Sequence, residues 1–211
     1  LKMSSGLDWF ESYYTVSPVT RMLYRQAEMG TFSASFKAKT EPGIEWEYSS
    51  GTTNIVMRKI RDVTGPDYHQ FPYRALFHKI GMTSALIELD ASGGFVGSSF
   101  GWATPRDWAR FGLLYLNDGV WEGERILPEG WVQYSSTPLE YAPGGCYGAQ
   151  FWHITDESPG VPSDTYFANG FEGQRVAIIP SKDLVIVRLG QTHFGNFDFN
   201  ALLGGISNAV E

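Results

Sequence analysis

Apolar side chains recur at helical spacing over much of the first two-thirds of the chain and at strand spacing near its end. Pro18 to Met29 predicts a helix, with proline in the first turn and Gly30 as its stop. Ser50 to Val63 predicts a second helix, with Ile55, Val56, Met57, Ile60 and Val63 as its apolar face and Gly65-Pro66 as its breaker. Pro72 to Ile80 predicts a third, closed by Gly81. Thr104-Pro105-Arg106-Asp107 is a helix start: Thr104 can cap, Pro105 suits the first helical position, and Asp107 suits the positive end of the dipole. That helix runs through Trp108, Phe111, Leu114 and Tyr115 towards Gly119, and Pro128 to Tyr134 adds a short one.

The tail changes period. Tyr147 to Ile154, Tyr166 to Asn169, Arg175 to Ile179 and Leu184 to Leu189 predict strands, with Pro180 to Asp183 as a hairpin loop and Phe197 to Val210 as a closing helix. The expected class is α+β. Residues 1–145 form a mostly helical region, and 146–211 form an antiparallel sheet portion with a C-terminal helix.

Composition narrows the function classes. With 211 residues, 43% of them hydrophobic, the chain can bury the core of one domain or two small lobes. A formal net charge of −7 argues against tracking a phosphate backbone, so no nucleic-acid partner is expected. No apolar run approaches the roughly 18 residues that predict a membrane span. One cysteine, Cys146, cannot form a disulfide framework within the chain. His69, His78, His153 and His193 are scattered, and the C-x-x-C and H-E-x-x-H spacings are absent, so no metal or cofactor is expected.

Three stretches carry chemistry-bearing residues. In Tyr48-Ser49-Ser50-Gly51, a tyrosine and a small polar residue sit where an extended piece enters a helix. A phenol, which ordinarily ionises near pH 10, becomes a useful base only beside a cation that stabilises its anion. The competing reading makes Tyr48 a core aromatic and Ser50 an N-cap. In Gly170-Phe171-Glu172-Gly173-Gln174, glycines ahead of a strand let a substrate approach backbone N–H groups; the competing reading is a turn into a hairpin. Gly97-Ser98-Ser99-Phe100-Gly101 matches the G-x-S-x-G nucleophile elbow, which requires a strand directly before Ser99 and a helix directly after it. The upstream piece is a poor strand and the next helix begins at Thr104. Asp90 and Asp107 fit a turn and a helix start better than a general base.

In order along the chain, these pieces resemble the serine beta-lactamase and penicillin-binding-protein superfamily, in particular its esterase and amidase branch. The resemblance rests on Leu1 to Leu7, Glu47 to Asn54, Leu76 to Met82, Gly101 to Gly119 with its T-P-R-D-W-A-R-F-G core, Gly123 to Trp131, and Gly170 to Gly190. It implies a beta-lactamase/transpeptidase-like fold and an acyl-enzyme mechanism. In that mechanism a serine of an S-x-x-K element attacks a carbonyl, a Tyr-x-Asn or Ser-x-Asn element moves the proton, and a strand motif, Lys-Thr-Gly or His-x-Gly, lines the opposite wall. The resemblance makes Tyr48 the general base, then acid, and the Gln174 N–H an oxyanion donor. Ser50, Trp102, Phe171, Glu172 and Gly173 would shape the substrate site.

Three departures qualify the match. None of the six lysines (Lys2, Lys37, Lys39, Lys59, Lys79, Lys182) follows a serine or threonine at the S-x-x-K spacing. The start at Leu1 therefore reads as the C-terminal portion of a longer domain, its nucleophile upstream. Ser50 stands where asparagine is common. Phe171 and Glu172 stand where a cation and a hydroxyl pair with the carboxylate of a beta-lactam, so a small ester or amide, neutral or cationic near that wall, is the expected substrate. A sheet lacking its N-terminal strands would expose an edge, predicting self-association or a partner segment in trans. A non-catalytic binding protein on the same fold, a beta-lactamase or D-Ala-D-Ala peptidase, and an α/β-hydrolase using Ser99 are the alternatives.

Overall fold

A capping box opens the first helix. In the computed structural model, which describes residues 1–155, 158, 160–193 and 196–210, the Ser17 N–H donates to Thr20 Oγ1 (2.9 Å) and the Thr20 N–H to Ser17 Oγ. Helix α1 (Pro18–Arg25) buries Val19, Met22 and Leu23. It does not continue to Met29, as the hydrophobic pattern suggests. Gln26 is extended, and the chain restarts as α2 (Met29–Ala34). Two carboxylates favour the restart: Glu28 accepts from the Thr31 N–H at 2.8 Å and Asp90 from the Met29 N–H at 3.0 Å. Gly30 is interior to α2 rather than the stop of the expected Pro18–Met29 helix. A Cβ there would lie 2.8 Å from the Arg58 Cβ and 3.0 Å from the Asn54 carbonyl oxygen, so glycine permits a close helix approach.

That neighbour is α3 (Ser50–Thr64), capped by Ser49, whose side chain accepts from the Thr52 N–H at 2.9 Å. It ends at Gly65 with φ +55. Its buried face is Ser50, Gly51, Thr52 and Asn54, not the expected apolar stripe, and Val63 is 72% exposed. The reason is proximity: a Cβ on Gly51 would meet the Trp9 ring at 2.8 Å. Trp9 anchors a core with Val19, Met22, Leu23, Met29 and Val96. The expected third helix is cut short at Phe77, with Tyr73–Phe77 as one π-type turn; the Met82 N–H reaches the Phe77 carbonyl (2.8 Å) and Gly81 takes φ +70. Strands β1 (Leu86–Ile87) and β2 (Gly101–Trp102) pair antiparallel. Residues Leu1–Arg74 with Ala85–Trp102 make one compact unit, and Ala75–Ser84 with Ala103–Glu211 make the other.

The second unit is built on a sheet. Helix α4 (Pro105–Leu116) starts where the sequence predicts, with Thr104 accepting from the Asp107 N–H. The β3 (Val120–Trp121) and β4 (Glu124–Arg125) pair follows, then α5 (Trp131–Ser136), which begins after Gly130 at φ +76 rather than at Pro128. The expected strand 147–154 contracts to β5 (Trp152–His153). The chain turns back within it: the Gly148 N–H donates to the Phe151 carbonyl (2.8 Å), Gln150 adopts φ 70, and Tyr147 bridges to Trp152.

β6 (Tyr166–Asn169), β7 (Arg175–Ile179) and β8 (Leu184–Arg188) complete an antiparallel sheet in the order β5-β6-β7-β8. Alternation puts Tyr166, Ile178 and Val185 with Tyr115 and Phe111 of α4, while Phe167, Ala177, Ile179 and Ile186 pack with Leu203 and Phe199 of α6 (Phe199–Ala209). Asp198 sets the start of α6, accepting from the Ala201 N–H at 2.8 Å, two residues later than Phe197. The architecture is the expected α+β arrangement of helices and antiparallel strands. Among the described residues β8 pairs with a strand on one side only.

Candidate functional site

The segment Trp9-Phe10-Glu11-Ser12-Tyr13 places every second side chain on one side as it reaches the start of α3. The Glu11 carboxylate gathers four donors there. Its Oε1 accepts from Trp9 Nε1 (3.1 Å) and, in a short contact, from the Ser50 backbone N–H. Its Oε2 accepts from the Ser50 hydroxyl (3.2 Å) and the Tyr13 hydroxyl (3.3 Å), and those two hydroxyl oxygens lie 3.4 Å apart. An anion in front of the first free N–H of a 15-residue helix sits at the positive end of its dipole. Ser50 is 3% exposed, its hydroxyl already donated. The helix cap is Ser49, so Ser50 occupies the first helical position.

Tyr48 stands two residues ahead of Ser50 and is half-buried. Burial, and secondarily the Glu11 charge, push its phenol up to about 12. The Tyr13 phenol is raised further, first by burial and then by Glu11. Tyr48 is therefore a neutral phenol at pH 7, and removing its proton requires a cation beside it. Sequence reasoning missed Glu11, Tyr13 and Trp9; the W-x-E-x-Y alternation was the available signal.

The G-x-S-x-G match does not form an elbow. Ser98 and Ser99 lie in a turn, Phe100 takes φ 59, and the following residues are β2, not a helix. Ser98 is held by the buried Asn54: the amide Nδ2 donates to Ser98 Oγ (2.8 Å) and Oδ1 accepts from the Gly97 N–H (3.1 Å). Trp102 is 55% exposed, and its indole N–H donates to Glu88 at 2.7 Å. Asp90 is a turn residue: burial raises its carboxyl, but hydrogen bonds from Met29, Ser92 and Gly94 outweigh this and lower it.

In the second unit, residues 170–174 are the tip of the β6–β7 hairpin. Phe171–Gly173 makes a single 3-10 turn in which Glu172 (φ 56) and Gly173 (φ +87) are both left-handed. Arg188 pins this tip, donating to the Gly173 carbonyl (2.7 Å), the Glu172 carbonyl (3.4 Å) and the Thr192 hydroxyl. The Gln174 side chain clasps Gly190, donating to its carbonyl (2.5 Å) and accepting from its N–H (2.9 Å). The Gln174 carbonyl accepts from the Gly170 N–H (2.8 Å), while the Gln174 N–H meets no acceptor among the described residues. Phe171 is 57% exposed, and Glu172 faces His193 Nδ1 at 3.1 Å.

Of the residues singled out from the sequence, Tyr48 and Ser50 thus share the start of α3 in one unit. Phe171, Glu172, Gly173 and Gln174 share the hairpin tip in the other. Among the described residues no group of three or more His, Cys, Asp or Glu could hold a metal ion, and no helix is long and apolar enough to cross a membrane.

Comparison with known proteins gives a consistent answer. The family model "Beta-lactamase" matches residues 1–210. The 6-aminohexanoate-dimer hydrolase of Paenarthrobacter ureafaciens is 30% identical over 158 residues, which are 69% of this chain and 39% of that protein. A Bacillus anthracis structure provisionally named 6-aminohexanoate-dimer hydrolase superposes with a TM-score of 0.74 at 24% identity, covering 88% of this chain and 53% of the other. EstCE1, a hydrolase with promiscuous acyltransferase activity, superposes with a TM-score of 0.72 at 16% identity, covering 100% of this chain and 70% of its own. The two structures share the fold.

Proposed function

The chain belongs to the beta-lactamase family, and on that premise we propose that it carries the proton-transfer tyrosine and the oxyanion strand of an acyl-enzyme serine hydrolase acting on a carboxylic ester or amide. The observation that carries this reading is Tyr48 at the entrance of α3, a half-buried phenol two residues ahead of the buried Ser50. The chain spans 39% of the length of its curated relative, and none of its six lysines lies in an S-x-x-K element. The nucleophilic serine and its lysine are accordingly assigned to sequence outside these 211 residues.

In this scheme the lysine cation stabilises the Tyr48 phenolate, which takes the proton of the attacking serine. The serine oxygen bonds to the carbonyl carbon, and the C–O or C–N bond to the leaving group breaks as Tyr48 returns the proton to it. Water then releases the acid from the acyl-enzyme by the same route. The Gln174 N–H, which meets no acceptor among the described residues, supports a role as oxyanion donor. The left-handed Glu172 beside it is the kind of local strain that clusters at functional sites. Phe171 and Glu172 present an apolar group and an anion, which suits a neutral or cationic acyl substrate better than the carboxylate of a penicillin. The name of the curated relative points to the amide of an amino-acid oligomer as the first substrate class to assay.

The test is Tyr48→Phe in the protein expressed from its full natural reading frame. Turnover of a neutral aryl ester or an amide is expected to fall by roughly 10²–10⁴-fold, the usual contribution of a positioned acid–base group. Undiminished turnover overturns the assignment of Tyr48.

A further inference from the structure

A trans peptide group is planar, and its carbonyl oxygen and amide hydrogen point in opposite directions. The Gly173 carbonyl and the Gln174 N–H belong to one such group, so whatever holds the first aims the second. The holder is Arg188 on β8. Its Nη1 donates to the Gly173 carbonyl at 2.7 Å, the shortest of its three carbonyl contacts, and reaches the Gly190 carbonyl at 3.3 Å and the Glu172 carbonyl at 3.4 Å. Its Nη2 donates to the Thr192 hydroxyl. Gly173 makes room for this approach, since a Cβ there would stand 2.7 Å from Nη1. The Thr192 N–H adds a bond to the Glu172 carbonyl (3.1 Å), while the Gln174 N–H meets no acceptor among the described residues.

The β7–β8 register sets Arg188 directly opposite Arg175. Like charges so placed destabilise a sheet, so the hairpin gains nothing from a second cation as such. The two guanidiniums take different partners: Arg175 lies over the rings of Phe167 and Phe199, 4.4 Å from each centroid, and Arg188 over Phe197 at 4.5 Å. Among the described residues every hydrogen bond from Arg188 goes to a neutral oxygen of the tip or of residues 190–192. Its charge therefore acts on those peptides. A cation on a carbonyl draws electron density from the amide nitrogen and makes the N–H a stronger donor. We propose that Arg188 is a positioning residue for the oxyanion donor: it fixes and polarises the Gly173–Gln174 peptide so that its N–H faces the developing negative oxygen. The catalytic consequence rests on the reading of Gln174 as oxyanion donor; the hold on the peptide does not, and it is read without turnover.

The test uses the protein expressed from its full natural reading frame. Arg188→Met keeps most of the side-chain stem and removes the donors and the charge. The assigned Gly173 carbonyl carbon should move upfield in the NMR spectrum as it loses its donor. The kcat for a neutral aryl ester should fall by roughly 10–10²-fold with KM little changed, less than the 10²–10³ of an absent oxyanion donor. Gln174→Pro deletes the N–H itself: Gln174 has φ −67, within the range of proline, and Gln174→Ala controls for the lost side chain. In the Gln174→Pro background Arg188→Met should cost no further kcat, because no N–H remains to be aimed. An unmoved Gly173 carbonyl, or an equal kcat loss in both backgrounds, overturns the proposal, since a merely structural arginine would act alike in each. If Arg188→Met does not fold, Arg188→Lys decides. It keeps the cation, but an ammonium cannot fork across the Gly173 carbonyl and the Thr192 hydroxyl. A partial fall in kcat at constant KM is then expected, and parental kcat with an unmoved carbonyl signal overturns the proposal. Equal kcat in Gln174→Pro and Gln174→Ala would sink the oxyanion reading and the catalytic role of Arg188 with it; the Gly173 carbonyl signal separates that outcome from a failure of the Arg188 contact itself.

Discussion

Two glycine-to-alanine substitutions in helices should change stability in opposite directions. Gly112 lies inside α4, where a Cβ would stand 2.5 Å from Val185 Cγ1 and 3.1 Å from Val176 Cγ1, contacts that side chains cannot occupy without movement. Gly205 lies in α6 with no described residue within 4 Å of its Cβ position. The intrinsic helix gain for Gly→Ala is about 1 kcal/mol at either site. At Gly205 nothing opposes it, so Gly205→Ala should stabilise by roughly 0.5–1 kcal/mol. At Gly112 the added methyl presses on two β-branched residues whose χ1 is stiff, and overpacking of this kind costs about 1–3 kcal/mol. Gly112→Ala should therefore be net destabilising by about 1 kcal/mol, leaving the two variants roughly 2 kcal/mol apart. Urea denaturation monitored by tryptophan fluorescence reads this as midpoints displaced to either side of the parent with an unchanged slope. Val185→Ala, which removes the opposing methyl, should make Gly112→Ala less harmful than it is alone. Equal stabilisation by both alanines would refute the close seating of α4 on the β7–β8 pair.

Two further stability predictions concern pH. Asp107 is 3% exposed; its carboxyl is held below the usual value first by the Ser84 hydroxyl (2.6 Å) and also by the Ser84 N–H (2.9 Å) and Arg110 (2.6 Å). A lowered carboxyl stabilises the fold above the unfolded value of 3.8 and loses that contribution as pH falls through the folded value. Asp107→Asn should cost about 1–3 kcal/mol at pH 7 by chemical denaturation, and the gap should close below pH 3.8. His153 is pushed from 6.5 down to about 4 by burial, and its Nε2 is buried with no hydrogen-bond partner among the described residues. The unfolded chain takes up this proton first, so stability falls as pH drops from 6.5 towards about 4. His153→Gln should flatten that part of a Tm-versus-pH curve, and an unchanged slope would refute the assignment.

Elements with strong punctuation were legible in the sequence. Thr104-Pro105 and the Gly65-Pro66 breaker located α4 and the end of α3, and the turn residues between the strand stretches located β6 and β7 to the residue. What was not legible depends on contacts between distant segments. The break after Arg25 follows from Asp90 and Glu28 competing for the N–H groups of a new helix, and Asp90 is 61 residues beyond the Met29 it binds. The small, polar buried face of α3 reflects Trp9 and Gly30 pressing close, which periodicity within the helix cannot reveal. The same holds for the candidate site. Tyr48 and Ser50 stood out by their position ahead of a helix. Glu11 acquires meaning only when the chain folds back across 39 residues to meet the Ser50 N–H.

The measurement that bears most directly on the proposed function is fluorophosphonate labelling of the protein from its full natural reading frame, followed by peptide mapping. The expected result is a single label on a serine of an S-x-x-K element outside these 211 residues, and no label within them. A label on Ser99, or on any other serine of this chain, would contradict it.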